Sequence, residues 1–181
     1  MRIAIIGSAG RDKDAAKFTR DMFEKMVEHV QQLISREEAK EICLVSGGSS
    51  WSDHVAVALF LRGKVQRLEI HLPCGFDANK RQFCKSPIAT TLNRLHCVFS
   101  KVAGIDSLGE LRDALCAFYC QPKFHRGFYA RNVEVGRSVD LMVAFSWSEG
   151  DHPVEGGTAY TWNRCRAARK VHVPLCQFLS K

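Results

Sequence analysis

Short apolar segments alternate along this chain with longer segments in which apolar residues recur every three or four positions. The short segments are rich in β-branched residues and are followed by turn residues, a pattern typical of buried strands in a parallel sheet. Five of them predict strands: residues 2–6, 41–45, 67–72, 140–145 and 171–174.

The intervening segments have the amphipathic spacing of helices. Six helices are predicted: residues 14–35, 52–61, 88–102, 107–119, 131–138 and a basic last helix over 156–170. Ser107 and Glu110 fit a capping box at the start of the fourth helix. The alternation of strands and helices predicts an α/β fold with a mainly parallel sheet and helices on both faces.

Residues 77–126 interrupt this alternation because they carry little strand signal. The length of 181 residues is typical of one domain. We therefore predict a single domain over residues 1–181, in which 77–126 form a helical insertion or cap.

Three glycine-rich turns follow predicted strands and lead into helices: residues 7–10, 46–49 and 156–158. In an open parallel sheet, ligands bind beyond the carboxyl ends of the strands. Unpaired N–H groups at helix N-termini favour anions, and glycine lets a phosphate approach the backbone. Each turn alone also fits an ordinary tight connection, whereas the three together predict a phosphate-binding rim.

The turn sequences resemble those of the SLOG superfamily of Rossmann-like nucleotide-binding proteins, which includes the Lonely Guy phosphoribohydrolases and DNA-processing protein A. The similar segments are GSAGR at 7–11, SGGSSWSD at 46–53, the dipeptide Arg131-Asn132, and GGTA at 156–159. The resemblance implies a Rossmann-like three-layer sandwich that binds a nucleotide or nucleotide derivative at the carboxyl edge of its sheet.

Carried over to this chain, the resemblance implies a set of residues that bind the ligand and its phosphate: Gly7, Ser8, Arg11, Ser46, Gly47, Gly48, Arg131, Asn132, Gly156, Gly157 and Thr158. Lonely Guy enzymes carry a catalytic glutamate three residues after the threonine of the last turn. Thr161 occupies that position here, so the mechanism of those enzymes is not carried over.

Asp53 and Glu155 are the candidate catalytic carboxylates, since both lie at the glycine turns. Either would stabilise an oxocarbenium-like charge or activate water, so hydrolysis of an N-glycosidic bond is one interpretation and binding without turnover is another. Asp53 also begins a helix, where a carboxylate often serves only as a cap. Trp51 and Trp147 lie beside the turns, where an aromatic ring can stack on a base.

The formal net charge of +7 favours anionic partners. The expected partner is a nucleotide or phosphorylated small molecule, and a nucleic-acid-binding module of the DNA-processing type is the alternative. A protein-interaction module with an unused rim is a third interpretation. Superfamily relatives often form dimers, so a homodimer is also open.

The eight cysteines are scattered, and no CxxC pair occurs. This pattern predicts reduced thiols, and the absence of a signal-like or membrane-spanning segment predicts a cytoplasmic protein. No cofactor and no metal site is predicted. A zinc site formed by Cys116, Cys120 and His125 is the alternative for the closest cysteine pair.

Overall fold

A parallel sheet forms the centre of the computed structural model of this protein, which describes residues 1–137 and 139–179. The strands are β1 (Arg2–Gly7), β2 (Cys43–Ser46), β3 (Arg67–Leu72), β4 (Phe76–Asp77), β5 (Gln82–Phe83), β6 (Cys120–Phe124), β7 (Leu141–Ser146) and β8 (Arg169–Pro174). The α-helices are α1 (Arg20–Ile34), α2 (His54–Leu61), α3 (Pro87–Ala103), α4 (Ser107–Cys116), α5 (Phe128–Arg137) and α6 (Gly156–Arg164).

The chain reverses its direction across the sheet next to β1. The six-stranded sheet has the order β6-β3-β2-β1-β7-β8, so the chain runs outward to β6 and then returns to the other side of β1. Because crossovers between parallel strands are right-handed, this reversal puts α5 and α6 on the opposite face from α1–α4. The prediction of a Rossmann-like three-layer sandwich is confirmed, and the topological switch point lies between β1 and β7.

Both faces of the central strand β1 are buried, and its residues divide between two cores. Ile3 and Ile5 pack with α1–α4, whereas Ala4 and Ile6 pack with α5 and α6. A parallel strand covered on both faces needs a continuous apolar run rather than an alternating one. This requirement explains the sequence RIAII at the start of the chain.

The helix predicted over residues 14–35 is broken into two. A 3₁₀ helix spans Asp12–Lys17, and α1 begins only after Phe18 and Thr19, whose backbones are extended. The Thr19 hydroxyl accepts a hydrogen bond from the Met22 N–H at 3.2 Å and so caps α1. Phe18 is buried, so the apolar spacing of the sequence continues across the break. The periodicity therefore gave no sign that the helix is interrupted.

The capping box predicted from Ser107 and Glu110 is wrong by one residue. The Asp106 carboxylate caps α4 by accepting a hydrogen bond from the Gly109 N–H at 3.0 Å. The Ser107 hydroxyl is fully buried and instead lies 3.0 Å from the His96 Nδ1 atom.

Residues 77–126 contain α3 and α4, as expected, but also the edge strand β6, which was not predicted. Most side chains of β6 are exposed, and Pro122 interrupts any apolar run. Proline is tolerated there because, among the described residues, β6 pairs with β3 alone and its other edge is free. The helices α3 and α4 join the layer of α1 and α2.

The predicted ends of the last helix, the fifth helix and the domain have different outcomes. The last helix is shorter than predicted, because α6 ends at Arg164 and both Arg169 and Lys170 belong to β8. Ser138, the predicted end of the fifth helix, lies outside the described residues, as do residues 180 and 181 of the predicted domain. None of the helices within 1–137 and 139–179 is long and apolar enough to cross a membrane.

The junction between β1 and β7 leaves no room for a side chain at Gly7. A Cβ atom there would lie 2.3 Å from the Phe145 carbonyl oxygen and 2.6 Å from the Ser52 side chain. We expect Gly7→Ala to lower the free energy of unfolding by about 2 kcal/mol, because the backbone of β7 must shift.

Chemical denaturation measures this change, and Gly150→Ala is the matched control. Among the described residues, apart from its two neighbours in the chain, no atom lies within 4 Å of a Cβ at Gly150. That substitution is therefore expected to change the free energy of unfolding by less than about 0.5 kcal/mol. Equal effects of the two substitutions would contradict the tight β1–β7 junction.

Candidate functional site

A cavity of about 760 Å³ opens at the carboxyl ends of β1 and β7, where the topological switch point lies. Most of the predicted site residues line it: Gly7, Ser8, Arg11, Asp53, Arg131, Asn132, Glu155, Gly156, Gly157 and Thr158. No lining residue comes from 77–126, so that segment does not cap this cavity. The first and last glycine turns therefore meet at one site, together with the Arg131-Asn132 dipeptide.

Ser46, Gly47 and Gly48 do not line the cavity, although they were predicted to face the ligand, whereas Ser49 of the same turn does line it. The Ser46 hydroxyl donates to the Asp53 carbonyl at 2.8 Å and accepts from the Gly48 N–H at 3.1 Å. Gly48 has φ +67°, a conformation that favours glycine. In this structure these residues shape the turn that holds Asp53.

Asp53 and Arg131 form a buried ion pair at the floor of the site. The Arg131 Nη1 atom donates to Asp53 Oδ2 at 2.9 Å, and the Ser49 N–H donates to the same oxygen at 3.2 Å. Burial raises the pKa of Asp53 above its ordinary value, and the Arg131 guanidinium opposes that rise. A Cβ at Gly47 would lie 1.5 Å from Arg131 Nη1, so only glycine admits this pair.

The last glycine turn is held from two sides at the N-terminus of α6. Gly156 has φ +69°, and the Gly157 carbonyl accepts from Asn132 Nδ2 at 3.4 Å and from the Thr161 hydroxyl at 2.8 Å. The first amide N–H groups of a helix have no intrahelical acceptor and carry partial positive charge. This turn therefore presents fixed donors to the cavity, and the Thr161 hydroxyl helps to hold it.

The charges around the cavity are mixed rather than strongly positive. Three basic and four acidic side chains line it: Arg11, Lys13, Arg131, Asp12, Asp14, Asp53 and Glu155. Asp14 pairs with Lys17 at 3.0 Å, and Asp53 pairs with Arg131. Among the described residues, Asp12 and Glu155 have no such cationic partner, so a ligand meets both cations and uncompensated carboxylates.

Aromatic side chains form part of the wall, but not all of those expected. Trp147 lines the cavity, whereas Trp51 is fully buried and stacks on Phe18 with ring centroids 4.4 Å apart. Trp51 is therefore a core residue and not a stacking surface for a base. Phe128 and Tyr160, which the sequence did not single out, also line the cavity, and the Arg11 guanidinium lies 4.9 Å from the Phe128 ring centroid.

One known protein is similar to this chain over nearly its whole length. The uncharacterized protein R261 of Acanthamoeba polyphaga mimivirus is 35% identical over 183 aligned residues, which cover 99% of this chain and 98% of the viral protein. The chain belongs to the family of this viral protein. No family model matches the chain, and no solved structure does. The similarity is not confined to the glycine turns.

A second polar cluster, which sequence reasoning missed, lies on the face of β3 that points toward α5. His71 Nε2 lies 2.6 Å from Glu69 Oε1, and His71 Nδ1 lies 2.9 Å from His125 Nε2. Arg2 and Lys123 approach the Glu69 carboxylate at 2.9 Å and 3.0 Å. Burial alone would raise the pKa of Glu69, but the hydrogen bonds from its three partners outweigh burial and lower this pKa to about 2.

The zinc alternative finds no support in the part of the chain that the structure describes. Cys116 ends α4 and Cys120 begins β6, while His125 bonds to His71. Within 1–137 and 139–179, no group of three or more metal-ligating side chains could hold a metal ion.

The buried Asp53–Arg131 pair is expected to couple the two residues strongly. Asp53→Asn or Arg131→Met alone should lower the free energy of unfolding by about 3 kcal/mol, because each leaves a buried polar group uncompensated. The double variant should lose less than the sum of the two single losses, by at least about 1 kcal/mol.

Chemical denaturation of the native protein, the two single variants and the double variant measures this coupling in a double-mutant cycle. Glu134 and Arg137 on α5 are the matched control: Arg137 is exposed, Glu134 is half-buried, and Nη1 and Oε1 are 3.1 Å apart. This pair should show a coupling below about 0.5 kcal/mol. Additive losses at Asp53 and Arg131 would contradict the ion pair.

The Glu69 cluster is expected to make the free energy of unfolding fall at low pH. Because the pKa of Glu69 is about 2 in the folded protein, against an ordinary value of 4.5, its contribution is complete above pH 4.5 and is lost as the pH falls toward 2. The difference in the free energy of unfolding between the native protein and Glu69→Gln should therefore decrease by roughly 3 kcal/mol across this range.

Urea denaturation between pH 7 and pH 2.5 measures this difference. The exposed Glu38→Gln is the control and should follow the native protein at each pH. A gap between the native protein and Glu69→Gln that stays constant with pH would contradict the lowered pKa.

Proposed function

We propose that the cavity at the switch point binds a nucleotide or nucleotide derivative, and that the chain is a small member of the SLOG superfamily. The observation that carries the proposal is the convergence of residues 7–11, Arg131-Asn132 and the N-terminus of α6 on one cavity. These segments are far apart in the chain and share the carboxyl edge of the sheet. Such an edge is where ligands of open parallel sheets bind.

The donors at one side of the cavity suit a phosphate. The first turn of α6 offers unpaired amide N–H groups, and the basic side chains Arg11 and Lys13 line the same cavity. Two further N–H donors, Arg131 Nε and Trp147 Nε1, are buried without an acceptor in the described structure. A buried donor without a partner is unfavourable, so an acceptor oxygen that reached either N–H would stabilise this site.

The remaining wall suits the ribose and the base. Asp12 and Glu155 carry carboxylates without cationic partners among the described residues, and such groups accept hydrogen bonds from sugar hydroxyls. Phe128 and Tyr160 add aromatic rings to the wall, and aromatic rings can stack on a base. A volume of about 760 Å³ lies within the range of small-molecule sites.

Hydrolysis of an N-glycosidic bond is the enzymatic form of this proposal. Glu155, at the N-cap of α6, is exposed and makes no side-chain hydrogen bond in the described structure, so it is better placed than Asp53 to act as an acid or base. Asp53 is held by Arg131 and Ser49.

Binding of nucleic acid is less well supported by the distribution of charge. Several arginines that contribute to the net charge are paired locally, including Arg62 with Glu24 at 2.7 Å and Arg169 with Glu37 at 2.9 Å. The cavity itself is lined by four acidic and three basic side chains, a balance that disfavours an extended polyanion. A cytoplasmic location stays a prediction. All eight cysteines are free thiols, which fits a reducing compartment.

Thermal unfolding in the presence of nucleotides tests the proposal. Mononucleotides, cyclic nucleotides, dinucleotides, ribose 5-phosphate and inorganic phosphate are compared, each at 1 mM. At least one nucleotide should raise the Tm, because a ligand that binds only the folded state stabilises it by mass action. Gly157→Asp should abolish this rise, since it places a negative charge at the N-terminus of α6.

Gly63→Asp is the matched control. It introduces the same charge after the far end of α2. The positive φ of +67° at Gly63 strains any side chain and should lower the Tm of the variant itself, but the ligand-dependent rise should be unchanged. If no nucleotide raised the Tm, or if the same nucleotide raised the Tm of both variants equally, a nucleotide site in this cavity would be contradicted. Binding to single-stranded DNA that weakens steeply with salt would support the alternative instead.

A further inference from the structure

Ser146 and His172 form a hydrogen-bonded pair at the edge of the cavity that the proposed binding role leaves unused. Ser146 is the last residue of β7, is buried and lines the cavity. Its Oγ atom lies 2.8 Å from His172 Nε2, which belongs to the neighbouring strand β8. The two strands are parallel and adjacent, so sheet hydrogen bonds fix the separation of the pair.

The partner of the other ring nitrogen determines which way the proton lies. His172 Nδ1 is 2.6 Å from the Gly150 carbonyl oxygen. A carbonyl oxygen only accepts hydrogen bonds, so Nδ1 carries the hydrogen and Nε2 of the neutral ring carries a lone pair. The Ser146 hydroxyl must therefore donate to His172.

The serine oxygen is also held in place. The Ser148 N–H lies 3.3 Å from Ser146 Oγ and donates to it. A hydroxyl that donates to a histidine, which is itself oriented by a third group, has the arrangement of an activated nucleophile. The N–H groups at the start of α6, in the same cavity, are donors of the type that stabilise an oxyanion.

We propose that Ser146 is a nucleophile, that His172 is its general base, and that the cavity acts on carboxylic esters. In the first step Ser146 Oγ bonds to the carbonyl carbon, and its proton moves to His172 Nε2. The ester C–O bond then breaks, and the leaving alkoxide takes that proton. Water, deprotonated by His172, cleaves the acyl-serine to release the acid and restore the hydroxyl.

A serine-directed fluorophosphonate tests the nucleophile directly. Attack forms the Oγ–P bond and breaks the P–F bond, so fluoride leaves and the proton passes to His172. Intact-mass spectrometry should show one adduct on the native protein, and peptide mapping should place it on Ser146. Ser146→Ala should show none, while Ser35→Ala, which changes an exposed serine at the end of α1, should label like the native protein.

His172→Gln separates catalysis from structure, because glutamine keeps a hydrogen-bonding side chain but cannot act as a base. Its labelling rate should fall by about 100-fold or more. Hydrolysis of p-nitrophenyl acetate by the native protein should likewise exceed that of Ser146→Ala by about 100-fold. Circular dichroism and the Tm confirm that each variant is folded.

The absence of an adduct on the native protein, an adduct on another residue, or labelling of His172→Gln at the native rate would overturn the inference. The inference does not require the ligand to be a nucleotide. Covalent labelling of Ser146 in a protein that no nucleotide stabilises would leave it standing while the proposed function fails. A nucleotide-dependent rise in Tm without labelling of Ser146 would support the proposed function and overturn this inference.

Discussion

The pairing of β1 with β7 is the constraint on which the rest of the structure depends. Crossovers between parallel strands are right-handed, so placing β7 beside β1 puts α5 and α6 on the face opposite α1–α4. The loops after β1 and β7 consequently separate and leave a crevice between them. The backbone contact at Gly7, where no side chain fits, keeps the two strand ends close enough for both loops to share one cavity.

The buried ion pair between Asp53 and Arg131 joins this crevice to the second glycine turn. The two residues are 78 positions apart, and the absence of a side chain at Gly47 lets the guanidinium reach the carboxylate. The glycine that resembles a phosphate-binding residue in the sequence thus makes room for an arginine of the protein itself. The pair positions Arg131 at the cavity while it reduces the charge available to a ligand.

The cavity combines groups suited to binding with groups suited to reaction. The α6 amides and the basic side chains would hold an anionic group, whereas Ser146 lines the cavity at the end of β7 and is hydrogen-bonded to His172 of β8. Both sets occupy the carboxyl ends of strands, where the sheet fixes backbone positions and the loops remain free to vary in sequence. A bound anion and a reacting carbonyl could therefore belong to one ligand.

The sequence alone determined the α/β layering and the position of the glycine turns, because strand burial and helix amphipathicity are local patterns. It did not determine the break before α1, where the apolar spacing continues, or the edge strand β6, whose exposed residues carry no apolar pattern. Tertiary structure alone decided which side chains meet: Asp53 with Arg131, and Ser146 with His172 across 26 positions. Such pairs depend on strand order and register, which are properties of the folded sheet and leave no periodic signal in the chain.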